Sequence, residues 1–189
     1  MLSTDRPVYG CLFCATGKEK SVLESIRLTC SDVRATTARQ EKFKTDHGKK
    51  TKVTALLLPG YVFFETSAPS DTPLHFPHDG IIRLLTDTDG CWQLYGDDER
   101  FVRWLFSYNG LLPFSTAYQE GTRIRVIDGP LKDMEGFIRR IDKRGHSGQI
   151  TVSFNHRELN VWLAFDLVEK IAPPVALRES RLGADCQDT

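Results

Sequence analysis

VTALLLPGYVFFE, residues 53–65, is an apolar run, a Pro-Gly break, and then a stretch of bulky β-branched and aromatic residues. Residues of that kind between turn formers predict a strand in a sheet. Side chains alternate along a strand, so Tyr61, Phe63 and Glu65 point one way while Val62 and Phe64 point the other. A small domain needs one apolar face for its core. A second asks for another cover, and with Leu58 beside it the surplus face reads as a docking surface for a partner. The alternative is that both faces are covered within the chain, and periodicity alone leaves the two open.

At 189 residues the chain has room for one domain or two small ones. Hydrophobic content of 40% and charged content of 26% are those of a soluble globular protein. No window approaches the roughly 18 consecutive apolar residues of a membrane span, and MLSTDRPVYG lacks the basic-then-apolar order of a signal peptide. Cytoplasmic residence without membrane attachment is the expectation. Cys11, Cys14, Cys30, Cys91 and Cys186 are odd in number and irregularly spaced, as suits a reducing compartment. Cys11 and Cys14 form a C-x-x-C inside a strand, where a spacing of three puts them on opposite faces; small buried side chains account for them better than zinc. The 25 basic and 25 acidic residues cancel, against a protein held mainly by a nucleic-acid backbone, though a local patch can still act.

From the N-terminus, Val8–Cys14 reads as a strand with Tyr9, Cys11 and Phe13 on one face. Thr16-Gly17-Lys18-Glu19 fits a capping box, and Val22, Leu23, Ile26 and Cys30 give the following helix an apolar stripe. Arg39, Lys42, Lys44, Lys49, Lys50 and Lys52 face only Glu41 and Asp46 between residues 39 and 52, with a turn at Asp46-His47-Gly48-Lys49. Two polar arms therefore form a hairpin or loop with a basic tip that can contact phosphates or simply be solvated. Residues 66–80, with prolines at 69, 73 and 77, read as a loop. A strand over Ile81–Thr86, a turn and a short piece at Cys91–Leu94 precede a second helix with Asp97, Asp98 and Glu99 in its first turn. Phe101, Leu105 and Tyr108 form its stripe, and Asn109-Gly110 ends it. Residues 6–110 make a first domain and 111–119 a linker. Short strands at Arg123–Ile127, Gly136–Ile141, Ile150–Phe154, Leu159–Leu163 and Leu167–Ile171 make a small closed or nearly closed barrel over 120–171. A disordered tail is expected over 172–189.

Two stretches carry a resemblance. VIDGPLKDMEGFIRRID resembles a KOW motif, with Gly129 and Gly136 as its glycines, while YGCLFCATGKE and LLPGYVFFE are similar to the opening strand–helix and the P-G-Y-V-F strand of the NusG N-terminal domain. Both motifs in this order are highly specific. The chain thus resembles the NusG family of transcription elongation factors, in a specialised RfaH/LoaP-like form. The resemblance implies an α+β fold: an N-terminal NusG-type α/β sandwich, with an antiparallel sheet and helices, followed by a five-stranded SH3-like KOW β-barrel. A stable barrel, not a helical alternative, is what its strand pattern favours.

The resemblance also implies control of elongation and antitermination, with no cofactor. Such a protein, acting as a monomer, docks on the clamp helices of RNA polymerase and suppresses pausing, here on selected operons. The matching positions are Tyr9, Leu58, Pro59, Gly60 and Tyr61; Phe63 is added because it shares the Tyr61 face. The family's second domain recruits ribosomal protein S10 or the termination factor Rho through an apolar-Phe-Gly-Arg loop. This chain has Phe154-Asn155-His156-Arg157 there, which loses the exposed Phe and puts Rho in doubt. An inward core position is the expectation for Phe154. Arg39–Lys52, helped by Arg100 and Arg103, is the candidate reader of an RNA hairpin or the non-template DNA strand. The rivals are a housekeeping factor coupling polymerase to Rho or the ribosome, and a ribosomal KOW protein. An enzyme is disfavoured: there is no G-x-S-x-G, H-E-x-x-H or P-loop, and the histidines at 47, 75, 78, 146 and 156 lie in turns and loops.

Overall fold

In a computed structural model that describes residues 7–67, 76 and 79–169, the first sheet runs in the order Val33–Thr36, Tyr61–Thr66, Val8–Cys14, Ile81–Leu84. Its strands are β1 (Val8–Cys14), β2 (Val33–Thr36), β5 (Tyr61–Thr66) and β6 (Ile81–Leu84). β1 and β5 are antiparallel, with Cys11 opposite Phe63 and Gly10 opposite Phe64. Between them in sequence come α1 (Glu19–Thr29) and the hairpin of β3 (Arg39–Asp46) and β4 (Lys49–Leu56). His47 and Gly48 turn that hairpin, both at positive φ, as the sequence predicts.

The alternation read in residues 61–65 holds. Val62 and Phe64 pack with Leu12, Cys14, Trp92 and the Val22–Ile26 stripe of α1. Phe63 packs on the other side with Tyr9, Cys11 and α2 (Gly96–Ser107). Cys11 and Cys14 fall into opposite layers, and burial pushes both thiols above their ordinary values. Each layer seals one face.

Four local expectations change. The capping box does not form: α1 has no side-chain cap, because Glu19 accepts hydrogen bonds from the amides of Gly17 (2.8 Å) and Gly60 (2.7 Å) instead. Cys91–Leu94 makes no strand. The buried set on α2 exceeds one stripe and includes Phe101, Val102, Trp104, Leu105 and Phe106, because this helix is covered on two sides. Tyr108, expected in the stripe, is only half-buried.

The segment expected as a linker is structured. β7 (Leu111–Leu112) runs parallel to β3, and β8 (Ser115–Glu120) joins the C-terminal sheet. Only small side chains of β8 turn fully inward, Ser115 and Ala117, so no apolar alternation announces the strand. β9 (Arg123–Asp128), the short α3 (Pro130–Asp133), β10 (Ile138–Asp142), β11 (Ser147–Phe154) and β12 (Arg157–Val168) complete the order β10-β11-β12-β8-β9. The two strands expected at 159–163 and 167–171 are halves of β12 within the described residues. Its first half pairs antiparallel with β11 and its second half parallel with β8. β9 and β10 are the two ends of this sheet, so the ladder is not closed by hydrogen bonds.

The expected tail over 172–189, the prolines at 69, 73 and 77, and His75 and His78 lie outside the described residues. Among the described residues no helix is long and apolar enough to cross a membrane.

Candidate functional site

The Pro59-Gly60 break is fixed from below. Gly60 has φ +82° and its carbonyl accepts from the Cys14 amide at 2.8 Å, while its own amide is held by the buried Glu19 carboxylate. Beyond the break, Tyr61 and Phe63 project on one side of β5. Tyr61 leans on Phe13 at 5.3 Å between ring centroids and on Phe63 at 6.5 Å. Phe101 of α2 meets the Phe63 ring edge-on at 6.1 Å.

These rings form a socket, and a residue of the C-terminal sheet fills it. Phe154 lies 5.3 Å from Phe63, 5.8 Å from Tyr61 and 5.6 Å from Phe101, tilted or edge-on to each. Edge-to-face and tilted rings at this range attract beyond their buried area. The next residue adds a polar tie, for the Asn155 amide donates to both carboxylate oxygens of Asp98 at 3.1 Å. Trp104 of α2 and Tyr108 just past its end both donate to Asp133 of α3. The closure is aromatic at its centre and hydrogen-bonded at its rim.

This overturns the expectation of a docking face left open by the monomer. Tyr9 is 6% exposed, Phe63 is fully buried and Gly60 is buried. Leu58 and Tyr61 are half-buried, and only Pro59 is exposed. The cover is intramolecular: α2 lies over Tyr9 and Phe63, and Phe154 over Tyr61 and Phe63. Phe154 is buried as expected, yet its ring contacts are with the first domain.

The basic segment divides along its strands. Residues opposite each other in the β3–β4 ladder share a face, which puts Phe43, Lys50 and Lys52 on one side and Lys42, Lys44 and Lys49 on the other. The first side meets the C-terminal half. Lys52 pairs with Asp166 at 2.6 Å and sits 4.2 Å above the Phe114 ring, and Lys50 donates to the Arg144 carbonyl at 3.2 Å. Lys42, Lys44 and Lys49 are exposed on the far side. Arg39 lies at the base, beside a cleft between α1 and β2, apart from the tip. Arg100 and Arg103 pair with Asp97 and Glu99 on their own helix. The tip is therefore not one patch.

In the β11–β12 turn, Phe154 pairs with Arg157, so Asn155 and His156 alone make the connection, both at positive φ. A turn this tight presents no apolar anchor. Of the two motif glycines, Gly129 is sterically required: it has φ +87°, and a Cβ would come within 2.8 Å of Ser115 Cα. At Gly136 a Cβ would meet nothing within 4 Å, so that glycine carries no such demand. Sequence reasoning missed Glu19, Asp98 and Asp166. Glu19 has a signal, its spacing of three from Thr16, but that spacing points to the Thr16 amide and not to the amides of Gly17 and Gly60 that it holds.

No family model matches the chain. "Transcription termination/antitermination protein NusG" of Borreliella burgdorferi is 25% identical over 173 residues, 81% of this chain and 92% of that protein. Its namesake from Thermus thermophilus is 27% identical over 136 residues, 65% of this chain and 72% of that protein. A solved structure, "Domain interaction in Thermotoga maritima NusG", aligns with 84% of this chain and 94% of its own at 18% identity. Its TM-score is 0.45, too low for the placement of parts to be compared. The two curated matches thus support the NusG family of transcription termination/antitermination factors as the one this chain resembles.

Proposed function

We propose that this chain is a transcription elongation and antitermination factor that grips RNA polymerase with the Tyr61–Phe63 socket and carries Phe154 as an internal plug for it. The observation behind this reading is the seat of Phe154 among Tyr61, Phe63 and Phe101. Aromatic residues in a desolvated pocket make strong anchors for a partner. Tyr9, Leu58, Pro59 and Gly60 shape the pocket's walls and edge. The C-terminal sheet, turning at Gly129, serves as a KOW barrel that must withdraw before the clamp helices can dock. A partner that binds only the open form has its affinity lowered by the fraction open. The test is capture on immobilised RNA polymerase. Phe154→Ala should raise capture about tenfold, and Tyr61→Ala with Leu58→Ala should abolish it. Wild-type capture by that double variant would overturn the docking assignment.

Antitermination on selected operons is favoured over Rho coupling by the two-residue Asn155-His156 turn, which offers no exposed ring. Transcription past a Rho-dependent terminator distinguishes them: read-through should rise, whereas stimulated termination would favour the housekeeping reading. Lys42, Lys44 and Lys49, on the outward face of the hairpin, are the candidate phosphate contacts for operon choice. Charge reversal at all three should remove nucleic-acid binding by the hairpin.

A further inference from the structure

The outer face of the C-terminal sheet carries a row that none of the foregoing uses. In the ladder Arg140 is opposite Gln149, and Gln149 is opposite Trp162, so a guanidinium, an amide and an indole stand in line across three strands. Trp162 is 37% exposed, whereas Trp92 and Trp104 are buried. The Trp162 indole thus offers part of its surface to solvent. Beside it lies a cleft of about 390 Å³ lined by Arg140, Ile141, Asp142, Lys143, Arg144 and Trp162.

The charge around that ring is mostly positive, three cations against the one carboxylate of Asp142. Arg140, Lys143 and Arg144 are exposed, and no described carboxylate forms an ion pair with them. The acid in the cleft, Asp142, is committed to its own turn, accepting from the amides of Gly145 and Arg144, the first of which chiefly holds its carboxyl below the ordinary value. Lys143 donates to the Thr122 carbonyl, a neutral acceptor. Lys50, through its bond to the Arg144 carbonyl, brings the hairpin tip to the rim of the same cleft. In the next row Thr151 donates to Asn160, which leaves the Asn160 amide N–H groups facing outward.

From this juxtaposition we infer that the outer face of the C-terminal sheet is a binding site for single-stranded RNA. One base stacks on Trp162, and the adjoining phosphates lie on Arg140, Arg144 and Lys143. A flat ring flanked by cations suits an unpaired base on a charged backbone and suits a duplex poorly, since duplex bases expose no face. Gln149 and Asn160, amides able to donate and accept beside the ring, suit the 2′-hydroxyl that distinguishes RNA from DNA. This site lies on a different surface from Lys42, Lys44 and Lys49 and does not depend on polymerase docking.

The test is titration of the full chain with a short oligouridylate, read by anisotropy of the labelled RNA and by tryptophan emission. Binding should quench the exposed indole. Trp162→Ala should weaken it about ten- to hundredfold, with Trp162→Phe within a few-fold of wild type, as expected for lost and retained stacking. Arg140→Gln and Arg144→Gln should each lower the slope of log affinity against log salt by about 0.7. Reversal of Lys42, Lys44 and Lys49 should leave the quench in place, so failure of the hairpin reading is seen separately. The inference is overturned if Trp162→Ala binds as wild type or if RNA binds without moving the emission. It is equally overturned by equal affinity for the matching oligodeoxyuridylate, or by poly-glutamate competing as well as RNA, which would reassign the face to an acidic protein.

Discussion

The two faces of β5 are covered in different ways. Val62 and Phe64 are sealed by α1, which follows directly on β1, and by Phe76 and Trp92, so that layer assembles within the N-terminal half. Tyr61 and Phe63 are sealed by α2 and by Phe154, a residue some 90 positions away on another sheet. The first cover cannot leave without unfolding the domain. The second includes a part with its own strands, which on the proposed function moves as a unit, and its buried Ile150, Leu163 and Phe165 are continuous with the cluster around Phe63 and Phe101. Its interface chemistry fits that difference. The α1 layer is mixed aliphatic and aromatic, whereas the contact with the C-terminal part combines one ring among rings with hydrogen bonds and the Lys52–Asp166 ion pair around it.

The comparison breaks hardest at Phe64. Its ring packs against Phe76 at 5.0 Å and Trp92 at 5.5 Å, and it fills the space over Gly10, where any Cβ would fall 2.2 Å from the ring. Phe64→Ala should cost about 3–5 kcal/mol of stability, read as a lower urea midpoint for the whole N-terminal domain. Phe154→Ala removes a ring of equal size and should not act that way. It should cost about 2–4 kcal/mol of coupling between the halves, seen as a larger radius of gyration with both halves still folded. If both variants unfold the protein alike, the faces are not different in kind. Between the two lies Glu19, which ties α1 to the Gly60 break. Glu19→Ala leaves the amides of Gly17 and Gly60 without their acceptor and should cost about 1–3 kcal/mol. Faster amide exchange at Gly60 than at Val62 would show that the break, not the layer, has loosened.

The part of this legible in sequence was the local part. Alternation in residues 61–65 gave both faces, and Asp46-His47-Gly48-Lys49 gave the hairpin turn, because strand pleat and turn geometry act over a few residues. What covers a face is decided by tertiary packing, so periodicity left a partner and the chain itself as equal candidates. The split of the basic tip needed the β3–β4 register, which charge counting cannot supply. Ser115–Glu120 hid as a linker because its inward residues are small. The Arg140–Gln149–Trp162 row was invisible for a related reason: its members are adjacent only once three strands are paired.

The smallest expected effect concerns the rim of the plug. Burial raises the Asp98 carboxyl above its ordinary value, with the Asn155 amide and His156 pulling less strongly the other way. Part of that burial comes from the β11–β12 turn, since Asp98, Phe154, Asn155 and His156 line one pocket. The folded chain therefore takes up a proton at Asp98 more readily than the unfolded chain. Between the ordinary carboxylate range, about pH 4, and the raised value, the fold should gain stability from this group as the pH falls and lose it as the pH rises. Asp98→Asn fixes the neutral form while keeping an oxygen for the Asn155 amide, so it should flatten this dependence and slightly reduce capture on polymerase. Asp98→Ala loses the acceptor and should increase capture by a few-fold at most. Capture by the Asn variant at or above that of the Ala variant would show that the carboxylate's charge, not its hydrogen bond, holds the plug.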